Sequence, residues 1–162
     1  MISFQKFFKL YESVTGELTP DTTFEELSKM GTIRTYRSSA KNDKTSYQSG
    51  SHVGSKLQAL IRADYMLNDE EKYNEYYLYE VILDVGKLYP KVHADDGSDH
   101  DISYGIDVSN DYDLIAYKNT GEGDIRRENL SLIILNPSNV ISNKIVKTLT
   151  PEYLLSIQNE LY

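Results

Sequence analysis

Tyr76-Tyr-Leu-Tyr-Glu-Val-Ile-Leu83 is the stretch around which the rest of the chain is read. All of its residues except Glu80 are aromatic or aliphatic, and it holds neither Gly nor Pro. Such a run predicts a strand, and a central one. Upstream, Thr32 to Arg37 alternates and is rich in β-formers, which predicts the first strand. Downstream, Tyr112 to Tyr117 and Leu130 to Leu135 predict two more, the second stopped by Asn136-Pro137. Asn139 to Lys147 adds an edge strand. The helices cluster early. Phe24, Leu27 and Met30 form one apolar face, capped by Asp21 or Thr22 and ended by Gly31. Leu57, Leu60, Ile61, Asp64 and Tyr65 follow the helical period after Ser55 as N-cap. Met66 to Asn74 continues as a second short helix or turn. Thr150-Pro151 opens a terminal helix, because Thr caps and Pro suits the first helical position. Strands outnumber core helices, so the expected class is α+β, with a split or mixed, mainly antiparallel sheet.

The length of 162 residues predicts one domain with a short appendage. Val14 to Pro20 reads as a linker, so residues 13–31 are expected to be linker and short helix, and 32–162 the domain. Lys plus Arg number 17 against 25 Asp plus Glu, a net charge of −8. That balance argues against unaided binding to nucleic acid or an anionic membrane, since both rest on cationic neutralisation. No apolar run approaches the roughly 18 residues of a membrane span. The chain has no Cys, which excludes disulfides, thiol catalysis and zinc–thiolate sites. It has 14 Tyr and no Trp, which points to half-buried rings with polar tips of the kind that line clefts.

Three constellations are weak on chemical grounds. His93, Asp95, Asp96, Asp99, His100 and Asp101 crowd together, but their spacing matches no calcium loop, so no metal is expected. Gly50-Ser-His-Val-Gly-Ser-Lys56 lacks the ending of a nucleotide phosphate loop, although a Gly-Ser turn into a helix still offers backbone N–H groups. No Gly-x-Ser-x-Gly elbow is present for a serine nucleophile.

A fourth set emerges in chain order. Arg37-Ser38 ends the first strand. His52-x-Gly54-Ser55, with Ala59, opens the helix. Tyr79 and Val81 mark the central strand. Tyr112-Asp113-x-Ile115-x-Tyr117-x-Asn119-x-x-Glu122-Gly123 precedes the strand Ser131 to Leu135, and Asn136-Pro137-Ser138-Asn139-Val140-Ile141 follows it. This order resembles the ADP-ribosyltransferase-like fold, especially its small phage-encoded members, over about two thirds of the chain. The resemblance implies a split sheet whose halves hold NAD⁺ as co-substrate, with no metal. Cleavage of the nicotinamide–ribose bond passes through an oxocarbenium-like state, which a carboxylate beside the ribose stabilises. It implies Glu122 in that catalytic role, with Glu128 as the rival. Arg37 would hold the phosphates as a planar fork, with Arg34 on the opposite face of the same strand as the alternative. His52, Gly54 and Ser55 would position the nicotinamide ribose and carboxamide, with His52 also counted as catalytic. Tyr65 or Tyr117 would stack on the nicotinamide ring, and Asn119 joins the binding set.

Met1 to Tyr11 carries Ile2, Phe4, Phe7, Phe8 and Tyr11 as an apolar helical stripe, with Lys6 and Lys9 opposite. Leu10-Tyr11-Glu12 before Ser13 resembles the site cut by prohead proteases of T-even-type phages, and the preceding helix resembles peptides that direct proteins into such capsids. This implies a cleavable segment 1–12, residence in the capsid interior, and delivery into the host cytoplasm. The expected partner is then a host protein target, a nucleic-acid acceptor being disfavoured by charge. The alternative is an injected protein without enzymatic activity that blocks a host defence complex by binding, with an acidic surface and tyrosine hot spots.

Overall fold

The computed structural model describes residues 16–40, 47, 48, 50–69, 75–94, 111–123 and 126–162. In chain order its strands are β1 (Gly16–Glu17), β2 (Thr32–Ser39), β3 (Ser51–Val53), β4 (Tyr76–Asp84), β5 (His93–Ala94), β6 (Leu114–Lys118), β7 (Leu130–Ile134) and β8 (Val140–Leu149). The helices are α1 (Phe24–Ser28), α2 (Lys56–Asp69), α3 (Pro151–Ser156) and α4 (Gln158–Leu161), and Pro137–Asn139 forms a 3-10 turn.

The strands form two four-stranded sheets, ordered β1-β2-β4-β8 and β3-β7-β6-β5. All pairings are antiparallel except β1 with β2 and β5 with β6. The fold is therefore α+β with mainly antiparallel sheets. β4 runs between β2 and β8, and the apolar run predicted this position: with neighbours on both edges and layers on both faces, polar side chains have few places to go. Tyr79, Val81 and Leu83 point to one face and meet Val53, Leu114, Ala116, Leu132 and Ile134 of the second sheet. Tyr76 and Leu78 point to the other face, where α2, α3 and α4 supply Leu60, Ala63, Leu67, Leu154 and Leu161. Each fully buried Leu or Ile here contributes about 1.5–3 kcal/mol relative to exposure.

α2 starts on a reciprocal cap. Ser55 Oγ accepts from the Gln58 N–H at 3.2 Å, and Gln58 Oε1 accepts from the Ser55 N–H at 2.7 Å. Thr150 caps α3 through the Tyr153 N–H, with Pro151 in the first turn as the sequence indicates.

Four local expectations are revised. Gly16–Glu17 is not linker: it pairs with Ile33–Arg34, and Leu18 and Leu27 are fully buried in the main core, so the packed body begins before Thr32. Thr23 caps α1, rather than Asp21 or Thr22, because Thr23 and Glu26 exchange bonds as a capping box. α2 runs unbroken from Lys56 to Asp69, with no second helix starting at Met66. Ser51–Val53 is a strand, too short to announce itself by alternation. The segment 1–12, the ambiguous stretch Ile102 to Val108 and the acidic cluster apart from His93 lie outside the described residues. Among the described residues, no helix is long and apolar enough to cross a membrane.

Candidate functional site

β2 and β3 meet at a single antiparallel bridge. Tyr36 N–H donates to Gly54 O at 2.8 Å, and Gly54 N–H donates to Tyr36 O at 2.9 Å. Beyond it the strands part. Arg37 to Ser39 pair with Tyr79 to Tyr77 of β4, whereas Ser51 to Val53 pair with Ile134 to Leu132 of β7. The fork opens a cleft of ≈ 1050 Å³, flanked by α2 and the loop after β6. Gly at position 54 is a packing requirement: a Cβ there would run into the Gln58 side chain and stand 3.2 Å from Ser131 Oγ.

His52 and Tyr117 face each other across β7 on one side of the second sheet, where His52 lies opposite Ile133 and Tyr117 opposite Ser131. His52 Nδ1 is 2.9 Å from the Tyr117 hydroxyl, and the rings meet edge to face at 5.4 Å. The contact ties the orientation of the imidazole to the Tyr117 hydroxyl.

Glu122 sits in the loop after β6, held by two asparagines. Asn119 Oδ1 accepts from the N–H groups of Gly121 and Glu122, both at 3.1 Å. Asn119 Nδ2 donates to Glu122 Oε2 at 2.9 Å and to Ser131 Oγ at 3.2 Å. Asn129 is buried and left-handed, with φ at 48°. Its Nδ2 donates to the carbonyls of Asn119 and Glu122 at 2.5 and 2.6 Å. Gln58 Nε2 in turn donates to Asn129 O and Oδ1 at 3.0 and 3.1 Å. The cap of α2 and the loop carrying Glu122 are thus one hydrogen-bonded unit, and the carboxylate is held by a rigid frame rather than by a free turn.

The charges in the cleft differ from those of the whole chain. Arg37 lies over the Tyr47 ring, its guanidinium carbon 5.4 Å from the centroid. Burial pushes the Tyr47 phenol up to about 12, so the ring stays neutral beside the cation. Arg62 Nε on α2 stands 3.9 Å from Glu122 Oε1. Ser38 Oγ is buried and has no hydrogen-bond partner among the described residues.

Arg37, His52, Gly54, Tyr65, Tyr117, Asn119 and Glu122 all line this cleft. Ser55 does not: it is buried beneath the turn, and its hydroxyl caps α2. Of the rivals, Arg34 points to the other face of β2 and pairs with Glu80 at 3.2 Å and Glu17 at 3.8 Å. Glu128 is exposed and outside the cleft lining. Tyr65, at a helical spacing that usually means core, is 57% exposed. The sequence reading missed Gln58, Arg62, Asn129 and Ser131. Only Gln58 left a trace, in the Ser-x-x-Gln spacing of its cap.

Among the described residues, no group of three or more His, Asp or Glu stands close enough to hold a metal ion. Comparison with protein-family models, with curated proteins and with solved structures finds no match for this chain, so its functional reading rests on the geometry of the fork.

Proposed function

We propose that the chain is an NAD⁺-dependent ADP-ribosyltransferase that binds the dinucleotide in the fork between β2 and β3. The supporting observation is convergence. Seven side chains or glycines named for this chemistry, from positions 37 to 122, line a single cleft. The cleft volume of ≈ 1050 Å³ leaves room for a dinucleotide, lying near the upper end of the roughly 300–1,000 Å³ of small-molecule sites.

In this reading Arg37 takes the pyrophosphate as a planar, always-charged fork. His52 and the backbone at Gly54 orient the nicotinamide riboside. Tyr65 is the stacking ring, because Tyr117 is buried and its hydroxyl is bound to His52. Glu122, oriented by Asn119, stabilises the cationic ribose carbon as its bond to nicotinamide breaks. The fold is then a member of the ADP-ribosyltransferase-like class, of phage origin. Residues 1–12 would be removed after Glu12, which mass spectrometry of the packaged protein would read as a chain starting at Ser13.

The test is incubation with NAD⁺ labelled in the adenylate half, reading nicotinamide release and label transfer to host protein. Glu122→Gln should lower both by about 10²–10³-fold, the usual cost of removing one group aimed at developing charge. It should leave an NAD⁺-induced rise in melting temperature intact. An absence of turnover together with an absence of that rise sinks the proposal.

A further inference from the structure

We propose that Arg62 sets the class of acceptor, and that the ADP-ribosyl group is passed to a carboxylate oxygen, as on an acidic peptide. The inference rests on the dinucleotide reading above and deepens it. Arg62 is half-exposed on α2 at the cleft, with its Nε 3.9 Å from Glu122 Oε1. A guanidinium therefore stands beside the carboxylate that would face the reacting carbon. An arginine or lysine acceptor would have to bring a second cation to that place and then lose a proton. A carboxylate acceptor is drawn to Arg62 instead.

The arrangement of Glu122 points the same way. Asn119 Nδ2 donates to Oε2 at 2.9 Å, and Arg62 faces Oε1. Both oxygens thus face donors, an arrangement suited to holding negative charge near the ribose rather than to taking a proton from a nucleophile. An anionic oxygen needs no such base. It forms the bond to the ribose C1′ while the C1′–N bond to nicotinamide breaks. The bonding pair leaves with nicotinamide, the pyridinium and carboxylate charges cancel, and no proton moves. Outside the cleft the chain is acidic, with a net charge of −8. The attraction is therefore local to Arg62, not a property of the whole surface.

The experiment offers the protein labelled NAD⁺ with two peptides that differ only in Glu against Arg at the acceptor position. Wild type should label the Glu peptide at least tenfold over the Arg peptide, through a bond cleaved by neutral hydroxylamine, as an ester is. Arg62→Glu should lower that ratio at least tenfold, and Arg62→Gln should fall between. Arg127→Glu, at an exposed arginine paired with Asp21 and outside the cleft lining, controls for the change in net charge and should leave the ratio alone. Preferential labelling of the Arg peptide overturns the inference, as does a ratio indifferent to Arg62→Glu. If no variant consumes NAD⁺ and NAD⁺ raises the melting temperature of none, it is the dinucleotide reading that fails. The anisotropy of the fluorescent Glu peptide without NAD⁺ then decides the role of Arg62. Weaker binding in Arg62→Glu than in Arg127→Glu supports the anion-selecting rim, and equal binding overturns it.

Discussion

Asn129→Ala is the perturbation that most directly tests whether the frame around Glu122 is real. The change deletes two bonds donated by Nδ2, to Asn119 O and Glu122 O, and one accepted by Oδ1 from Gln58. At about 1 kcal/mol net for each bond, the loss is about 3 kcal/mol. Position 129 also has φ at 48°, a conformation that costs Ala about 1 kcal/mol. The total of about 4 kcal/mol corresponds to a fall in melting temperature of about 8–16 °C for a chain of this size. Asn129→Gly loses the same three bonds without the backbone penalty, so it should recover about 1 kcal/mol relative to Ala. Urea denaturation followed by far-ultraviolet circular dichroism measures both, and the difference between the two variants isolates the backbone contribution. A cost below about 1 kcal/mol for Ala, or a Gly variant no more stable than the Ala variant, refutes the frame as described.

Three further outcomes follow from named contacts. Burial raises the Asp113 carboxyl, but hydrogen bonds from the Lys87 N–H (2.8 Å) and Asn136 Nδ2 (3.0 Å) outweigh it and hold it below its ordinary 3.8. Its contribution is therefore complete above pH 3.8 and lost as pH falls through the folded value; Asp113→Asn should flatten the acid limb of stability measured by urea titration. Glu80 lies between Arg34 (3.2 Å) and Lys144 (3.0 Å) with only 12% of its side chain exposed. Removing it leaves Arg34 poorly compensated, so Glu80→Ala should cost about 1–3 kcal/mol in chemical denaturation, against about 0–1 kcal/mol for the pair that Lys29 and Glu25 make at 2.6 Å on the exposed side of α1. Burial lifts the Tyr47 phenol to about 12, so it stabilises the fold below pH 10 and ceases to do so as pH rises through that range. Tyr47→Phe should therefore raise the alkaline unfolding midpoint relative to the acid one, even where the lost bond to Asn143 lowers stability at neutral pH.

Local chemistry made much of the fold legible. β4 could be read because its side chains had to satisfy two apolar faces at once, which leaves a run no helix period fits. α2 and α3 could be read from caps, since Ser55 and Thr150 act on N–H groups only three residues away. β1 and β3 could not, because two or three residues carry no periodicity and exist as strands only through their partners β2 and β7. Gly16 in β1 and Pro20 after it argued for a linker, and only the pairing with β2 and the burial of Leu18 show that the segment belongs to the core.

The site divides along the same line. Residue types and their order determined which groups were available: a guanidinium at the end of β2, a His-x-Gly turn into a helix, and a carboxylate after β6. Alternation along β2 placed Arg34 and Arg37 on opposite faces. It did not say which of the two reaches a cleft, because that depends on where β2 and β3 separate after the Tyr36–Gly54 bridge. Glu122 and Glu128 were likewise equivalent as sequence. Asn119 and Asn129, with Gln58 arriving from α2, hold Glu122 at the cleft by hydrogen bonds spanning up to 71 residues of chain, and Glu128 has no place in its lining. Ser55, eligible for two roles by type, spends its hydroxyl on the nearer one, the cap of its own helix. Short-range bonds are written in local sequence, because the partners are delivered by the same turn of backbone. The choice among chemically equal candidates is made by groups far apart in the chain, and so appears only when the sheets and α2 have packed.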